Sequence, residues 1–266
     1  MVVRAWQPGR DLVCFRAEAE GADDAREAIG RMRFALSVDD DLSGFHGRFR
    51  DDPLIGDSVR RRPWLRLPRR PEPFEVLAWA VTEQLIEYRR AVGIQRRIVS
   101  GLGRRDEASG LSDLPDAAAV SGVAPARLEA AGLSASRAVA LRRVSLLVAR
   151  GSIDLGSPDH EGTCSKLQTV PGIGRWTADV FAVGGQGRYD AIPAGDLGYL
   201  KWCGRLLRGR PGGFADEEEV RELFAPYGSW AALAGVHALR VSPLAAARPR
   251  RAGTRWSAPL RGRSRA

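Results

Sequence analysis

The chain has 266 residues, of which 44% are hydrophobic, so it is long enough to bury a core as one large domain or two modest ones. Its formal net charge is +9, and Lys166 and Lys201 are the only lysines, so arginine carries nearly all of the positive charge. This surplus is typical of proteins that bind polyanions, although an arginine-rich solvated surface has the same composition. Cys14, Cys164 and Cys203 lie far apart without a CxxC pair, which argues against a disulfide framework and against a cysteine-ligated metal.

The sequence shows no targeting or membrane segment. The first residues lack the continuous apolar stretch of a signal peptide, and no run approaches the roughly 20 apolar residues that a membrane span needs. We therefore expect a cytoplasmic protein that does not associate with membranes.

A mixed α/β pattern opens the chain. Residues 11–17 have the composition of a strand, and residues 23–34 show helical spacing of apolar positions. Proline and arginine then dominate residues 60–73, as is usual for a connector. We predict a small N-terminal α/β unit over residues 1–60, with the main domain boundary in this connector.

A helical domain is predicted over residues 61–247. Proline and glycine divide residues 112–156 into several short helices. Residues 248–266 form an arginine-rich tail that we expect to be disordered, either as a solvated end or as an arm that contacts DNA. In residues 73–90, four apolar positions recur at three- and four-residue intervals, which predicts one helix with a single buried face: Leu77, Val81, Leu85 and Tyr88.

The segment LQTVPGIGRWTADVFAVGG, which begins at Leu167, predicts two helices joined by a tight hairpin. Pro171 ends the first helix, Gly172 and Gly174 permit the turn around Ile173, and the second helix begins near Arg175. Outward-pointing backbone N–H groups at such a turn can hold a DNA phosphate without reading any base. A glycine-rich helix connection without a ligand would look the same.

Asp196 follows about twenty residues later in the segment AIPAGDLGYLKW. Helical spacing of the apolar residues after it places this aspartate at the N-cap or first turn of a helix. Aspartate is among the commonest capping residues, so the position alone does not separate a structural role from a catalytic one.

The hairpin VPGIGRWTA (170–178) together with IPAGDLG (192–198) resembles the helix-hairpin-helix DNA glycosylases, and within them the 3-methyladenine DNA glycosylase II (AlkA-like) branch. Weaker similarity extends to VTEQLI (81–86) and to the helical run 126–155, so about residues 70–240 are covered. The resemblance implies a mainly α fold with a small N-terminal α/β unit.

Excision of alkylated bases, of the 3-methyladenine and 7-methylguanine type, from double-stranded DNA is the activity that the resemblance implies, and we expect the protein to be a monomer. A target nucleotide is flipped into a pocket, because its glycosidic bond cannot be reached inside the stack. Asp196 then stabilises the positive charge that develops on C1′ and helps to orient water. Neither a metal nor an organic cofactor is required.

Trp176 occupies the hairpin position at which lyase-type members of the superfamily carry a lysine that attacks C1′. An indole cannot form that Schiff base, so we expect a monofunctional glycosylase. Trp176 would then be a pocket wall that stacks on an electron-poor alkylated base, unless it is ordinary core packing.

The remaining predicted contacts also depend on the resemblance. Gln84 and Leu85 match the family's contact to the orphan base and its DNA wedge, although Leu85 also fits the apolar stripe of a buried helix. The carbonyls of Leu167, Thr169 and Val170 could hold a monovalent cation, as related hairpins do. The predicted DNA contacts of the hairpin, with Arg175 the side chain nearest the phosphate, are Gly172, Ile173, Gly174, Arg175 and Thr177.

Two pocket positions depart from the family pattern, because Val180 and Val236 stand where aromatic residues are expected. Tyr227, Trp230 and His237 could fill similar space from shifted positions or could be packing. The preferred lesion is therefore open, and a deaminated or mismatched base is an alternative. A non-catalytic DNA-binding protein that keeps the hairpin is another. The absence of a four-cysteine cluster argues against the adenine-mismatch and endonuclease III types.

Overall fold

The computed structural model describes residues 1–210 and 212–243, so the predicted basic tail, 248–266, lies outside the described residues. Helices account for most of the described chain, which confirms the predicted mainly α class. They are, in chain order, α1 (Ala22–Leu36), α2 (Ser43–Phe49), α3 (Gly56–Arg61), α4 (Pro73–Glu83), α5 (Tyr88–Leu102), α6 (Ala117–Ser121), α7 (Pro125–Ala130), α8 (Ala135–Ala149), α9 (His160–Gln168), α10 (Arg175–Gly184), α11 (Leu197–Arg208), α12 (Glu217–Phe224) and α13 (Ala231–Ala238), with a 3₁₀ helix over Ala225–Trp230.

The chain divides into two compact units, each built from two separate segments. Unit 1 consists of residues 1–40 and 66–193, and unit 2 consists of residues 41–65 and those from 194 onward. This division differs from the boundary that we predicted at residue 60. The reason is aromatic packing, because Phe45 in α2 packs on Trp230, with ring centroids 5.6 Å apart.

A two-stranded antiparallel sheet opens unit 1. Strand β1 (Val2–Gly9) pairs with β2 (Leu12–Glu18) from Val2 opposite Glu18 to Gly9 opposite Leu12, and α1 follows. The predicted strand and helix are confirmed, whereas β1 was not predicted. Most residues of β1 are exposed, so the strand lacks the alternation of buried and exposed positions that marks a half-buried strand.

The predicted single helix over residues 73–90 is wrong, because the structure has two helices there. Helix α4 ends at Glu83, Gln84 leaves the helical conformation with ψ 120°, and α5 begins at Tyr88. Leu77 and Val81 are buried as predicted, but Leu85 and Tyr88 are exposed. Apolar residues therefore continue at helical spacing beyond Glu83, although the helix and its buried face end there.

Helices α4 to α10 enclose the core of unit 1. Residues 112–156 contain several helices as predicted, but only α6 and α7 are short, because α8 has 15 residues. The central side chains of the core are Leu77, Ile94, Leu141, Leu167 and Phe181. At about 25 cal/mol per Å² of buried apolar surface, side chains of this size each contribute roughly 1.5–3 kcal/mol. This core fixes the hairpin between α9 and α10 against α4 and α8.

Unit 2 has an aromatic core. Phe49 packs on Tyr227 with ring centroids 5.1 Å apart, and Phe224 packs on both Tyr199 and Tyr227. Trp202 contacts Phe224 and donates its indole N–H to the Val241 carbonyl at 2.8 Å. Across the described part of the chain, every helix is too short or too polar to cross a bilayer.

Candidate functional site

The predicted helix-hairpin-helix is present in unit 1. Helix α9 ends at Gln168, and α10 begins at Arg175 after an exposed turn. Val170 and Ile173 anchor this turn, because both side chains are buried and the Ile173 N–H donates to the Val170 carbonyl at 2.9 Å. The exposed tip therefore stands on a fixed apolar base.

The two hairpin glycines serve different needs. Gly172 has φ +91°, and a Cβ added there would lie 2.8 Å from the Cβ of Ala140 in α8. Gly174 has φ −91° and extended backbone, and an added Cβ would meet nothing within 4 Å. Close packing of the fold thus requires glycine at 172. At 174 the fold would accept a side chain, and glycine there allows a ligand to come close to the backbone.

We predict opposite phenotypes for alanine at these positions. Gly172→Ala should lower the free energy of unfolding by about 1–3 kcal/mol, because it combines a left-handed backbone with a steric clash. Gly174→Ala should unfold like the wild type and should weaken binding to every duplex similarly, since a phosphate contact carries no sequence information. Urea unfolding and fluorescence anisotropy with two unrelated duplexes measure these quantities. A lesion-selective defect in Gly174→Ala would contradict the phosphate role.

Two of the hairpin residues that we predicted to contact DNA have buried side chains. Ile173 is 4% exposed and Thr177 is 1% exposed, so both side chains support the hairpin from within and are shielded from a bound duplex in this conformation. The Thr177 hydroxyl lies 2.9 Å from the amide nitrogen of Gln84. Arg175 is exposed at the start of α10, where a phosphate could be reached.

Leu85 lies on the short loop between α4 and α5. It is fully exposed and adopts φ +51°, a conformation that costs a residue with a Cβ about 1–2 kcal/mol. The buried helical role that we left open for Leu85 is therefore wrong. A large apolar side chain held outward on a strained backbone is an unusual feature that indicates function.

Trp176 and Val180 lie one helical turn apart on the same face of α10, and both are half-buried. The Trp176 indole nitrogen is buried and has no hydrogen-bond partner among the described residues. Because an unmade hydrogen bond of a buried donor costs about 1–3 kcal/mol, such a donor calls for an explanation. An acceptor on a bound base would provide one.

The predicted cation site involves the end of α9. The carbonyls of Leu167 and Val170 each accept a backbone N–H, from Val170 at 3.0 Å and from Ile173 at 2.9 Å. A carbonyl oxygen has a second lone pair, so these bonds leave room for a cation ligand. The involvement of these two carbonyls and that of Thr169 stays a prediction. No group of three or more His, Cys, Asp or Glu residues suited to a metal occurs in residues 1–210 and 212–243.

Asp196 in unit 2 is the N-cap of α11, as predicted. One carboxylate oxygen accepts the Gly198 N–H at 2.7 Å, and the residue is half-buried. This bond is the only one that the carboxylate makes within the described part of the chain. The second oxygen is therefore available for another contact. Burial raises the pKa of Tyr199, one turn further along, so that phenol stays protonated.

The shifted aromatic residues belong to the core of unit 2. Tyr227 donates its hydroxyl to Asp52 at 3.0 Å, and Trp230 packs on Phe45. His237 is fully buried and stacks on Phe45, and its Nδ1 lies 3.0 Å from the Ser58 hydroxyl. These contacts favour packing over a pocket role. Val236, between them in sequence, is half-buried.

His237 predicts a pH dependence of stability. Burial lowers its pKa to about 4, with the positive charges of His46 and Arg62 contributing. An unfolded histidine takes up its proton near pH 6.5, so the unfolded chain binds more protons between pH 6.5 and 4. The free energy of unfolding should therefore fall as the pH drops through this window, by at most about 1.4 kcal/mol per unit.

Urea unfolding between pH 7.5 and 5 measures this slope. His237→Gln, which keeps a polar partner for Ser58, should flatten it. An equal slope in both proteins would contradict the assignment to His237.

No protein-family model matches the sequence. The chain is similar to DNA-3-methyladenine glycosylase 2 of Escherichia coli, with 34% identity over 133 residues that cover 49% of this chain. It also resembles the DNA-3-methyladenine glycosylase of Bacillus subtilis, with 24% identity over 77% of this chain and 69% of that protein. Among solved structures, the 3-methyladenine DNA-glycosylase of Archaeoglobus fulgidus has the same fold, with a TM-score of 0.77 at 22% identity over 89% of this chain and 81% of that one.

The chain therefore has the fold of the Archaeoglobus glycosylase and is similar in sequence to proteins named as DNA-3-methyladenine glycosylases. It spans 47% of the length of the E. coli relative.

Sequence reasoning missed the contacts that hold the α4–α5 loop. Arg137 in α8 donates to the Thr82 carbonyl at 3.2 Å, and Gln95 donates to Glu83 at 3.0 Å. The first partner is a backbone oxygen 55 residues away, which leaves no trace in the sequence. The glutamine–glutamate pair could be found only once the break at Gln84 is known.

Proposed function

We propose that this protein is a monofunctional DNA glycosylase that excises alkylated bases, of the 3-methyladenine and 7-methylguanine type, from duplex DNA. The observation that carries the proposal is Asp196, which caps α11 through one oxygen and keeps the other free. The relatives described above are named as 3-methyladenine glycosylases, which supports this lesion class. We further propose that the protein acts as a monomer in the cytoplasm.

DNA binding begins at the hairpin and on α5. The tip at Gly172 and Gly174 is exposed, so backbone N–H groups there can meet a phosphate. Helix α5 carries four arginines and no acidic residue, and Arg89 and Arg90 lie in its first turn. Positive charges at the N-terminus of a helix are unfavourable by about 0.3–1 kcal/mol each, because they oppose the helix dipole. Contact with a DNA phosphate would offset this cost.

Base flipping then uses the features around the hairpin. Leu85 enters the gap that the flipped nucleotide leaves, which keeps the duplex open. The flipped base stacks on Trp176, and an alkylated purine suits this contact because its ring carries positive charge. Val180, on the same face of α10, adds apolar surface where a further aromatic ring would sit in related enzymes.

The chemical step is hydrolysis. The bond between C1′ and the base nitrogen breaks, and its electron pair leaves with the base. The sugar thereby gains positive charge, which the ionised Asp196 stabilises through its free oxygen. Water adds its oxygen to C1′ and loses a proton, which leaves an abasic site. Without an amine at position 176 no Schiff base forms, so the DNA strand stays intact.

A panel of duplexes that each contain one lesion tests this proposal. We expect wild-type protein to generate alkali-labile abasic sites at methylated purines, with no strand cleavage before alkali and no borohydride-trapped adduct. Uracil and mismatched adenine serve as comparison lesions. Cleavage confined to one of those lesions would overturn the alkylation assignment, and a trapped adduct would overturn the monofunctional mechanism.

A further inference from the structure

Gln84 connects the wedge loop to the DNA-binding hairpin. Its side-chain amide nitrogen donates to the Gly172 carbonyl at 2.9 Å and lies at 2.9 Å from the Thr177 hydroxyl. An amide nitrogen has two protons, and these two bonds use both of them. In this conformation Gln84 has no donor left for a base in the opposite strand.

The next residue along the chain is the strained and exposed Leu85. Its backbone is held outward only if the loop is fixed at both ends, because φ +51° is unfavourable for leucine by about 1–2 kcal/mol. Arg137 and Gln95 secure the end of α4 just before the loop. Neither of these two residues bonds to the hairpin, so within the described residues the direct hydrogen bonds between the loop and the hairpin are those of Gln84.

Gly172 strengthens this connection. Its carbonyl accepts from Gln84, and its α-carbon packs so closely on Ala140 that no side chain fits. The acceptor therefore belongs to a rigid part of unit 1. A loop that is bonded to it keeps a fixed distance to the hairpin tip.

We infer that Gln84 is a positioning residue that sets Leu85 in register with the phosphate-binding hairpin, rather than a contact to the orphan base. The inference rests on the proposed function, since it needs Leu85 to act as a DNA wedge. The hairpin, which binds a phosphate of the duplex, and Leu85, which Gln84 holds in place, then contact the DNA at a fixed distance from each other. A functional side chain that is misplaced by about 1 Å can lose about a hundredfold in activity, so the hydrogen bonds of Gln84 matter for the position of Leu85.

A double-mutant cycle on DNA binding tests the inference without any need for base excision. The probe is a duplex with a tetrahydrofuran abasic-site analogue, and fluorescence anisotropy gives its affinity relative to undamaged duplex for the wild type, Gln84→Ala, Leu85→Ala and the double variant. We expect Gln84→Ala to lose about tenfold or more of the preference for the abasic analogue. In the Leu85→Ala background the same change should have almost no further effect.

The base opposite the abasic analogue provides a second readout, because a contact to the orphan base would make the loss of affinity depend on that base. If Gln84 positions Leu85, the loss should be equal with thymine, cytosine or a second abasic analogue opposite the first. Thr177→Val should reproduce part of the loss, and it is the fallback if Gln84→Ala does not fold. Ser121→Ala, which removes a side-chain hydrogen bond to the Ala118 carbonyl in α6 and touches neither the loop nor the hairpin, should retain the preference.

Additive effects of Gln84→Ala and Leu85→Ala, or a Gln84→Ala defect that vanishes when the opposite base is missing, would overturn the inference in favour of an orphan-base contact. Failure of the proposed function looks different. In that case the wild type would not prefer the abasic analogue, and Leu85→Ala would bind like the wild type.

Discussion

Replacing Asp196 by asparagine should reduce base release at least about a hundredfold, the loss expected when a preorganised electrostatic group is removed from a reacting centre. The fold should survive, because asparagine caps helices as well as aspartate does, so the Gly198 N–H keeps an acceptor. Affinity for duplex DNA should stay within a few fold, since the change removes a charge but little volume. Single-turnover excision, thermal unfolding and anisotropy measure the three quantities.

Asp216 offers a matched control in the same unit. It is the N-cap of α12 and accepts the Glu219 N–H at 2.8 Å, as Asp196 does for Gly198. Asp216→Asn makes the same chemical change at a second cap and should leave base release intact. If both variants lost activity equally, or if Asp196→Asn lost its fold, capping would explain the role of Asp196 better than catalysis.

Leu85→Gly should reduce base excision without reducing the stability of the fold. Glycine adopts φ +51° without strain, so the free energy of unfolding should stay constant or rise by up to about 1 kcal/mol. Excision from duplex DNA should fall by about tenfold or more, because no side chain fills the gap behind the flipped base. Excision from single-stranded DNA, where there is no gap to fill, should change little.

Leu111 provides the comparison for this variant, because it is another exposed leucine of unit 1, 59% accessible, on the loop between α5 and α6. Leu111→Gly should leave duplex excision unchanged. Equal losses in single- and double-stranded DNA for Leu85→Gly would show that Leu85 does not act as a wedge.

The hairpin and the Asp196 cap could be predicted because their chemistry is local. Proline ends a helix, glycine permits φ +91°, and aspartate caps the helix that follows it, all within a few residues. The break after Glu83 was hidden, because the apolar spacing runs through Leu85 and the contact that holds the loop is with Gly172, 88 residues away.

The division into units was equally beyond local pattern. Residues 41–60 looked like part of the N-terminal unit because they follow its strand and helix in sequence. Their large apolar residues, Phe45 and Phe49, instead pack on Trp230 and Tyr227, which come 185 and 178 positions later. The same packing places Tyr227 and His237 in a core, a distinction that the aromatic residues themselves do not reveal.

We propose that this protein releases alkylated bases by means of Asp196. The most direct test is chromatographic identification of the free bases released from methylated duplex DNA by the wild type and by Asp196→Asn, both purified from a host without its own 3-methyladenine glycosylases. We predict 3-methyladenine or 7-methylguanine from the wild type alone. Tight duplex binding by both proteins with no released base from either would show that the protein does not excise methylated bases.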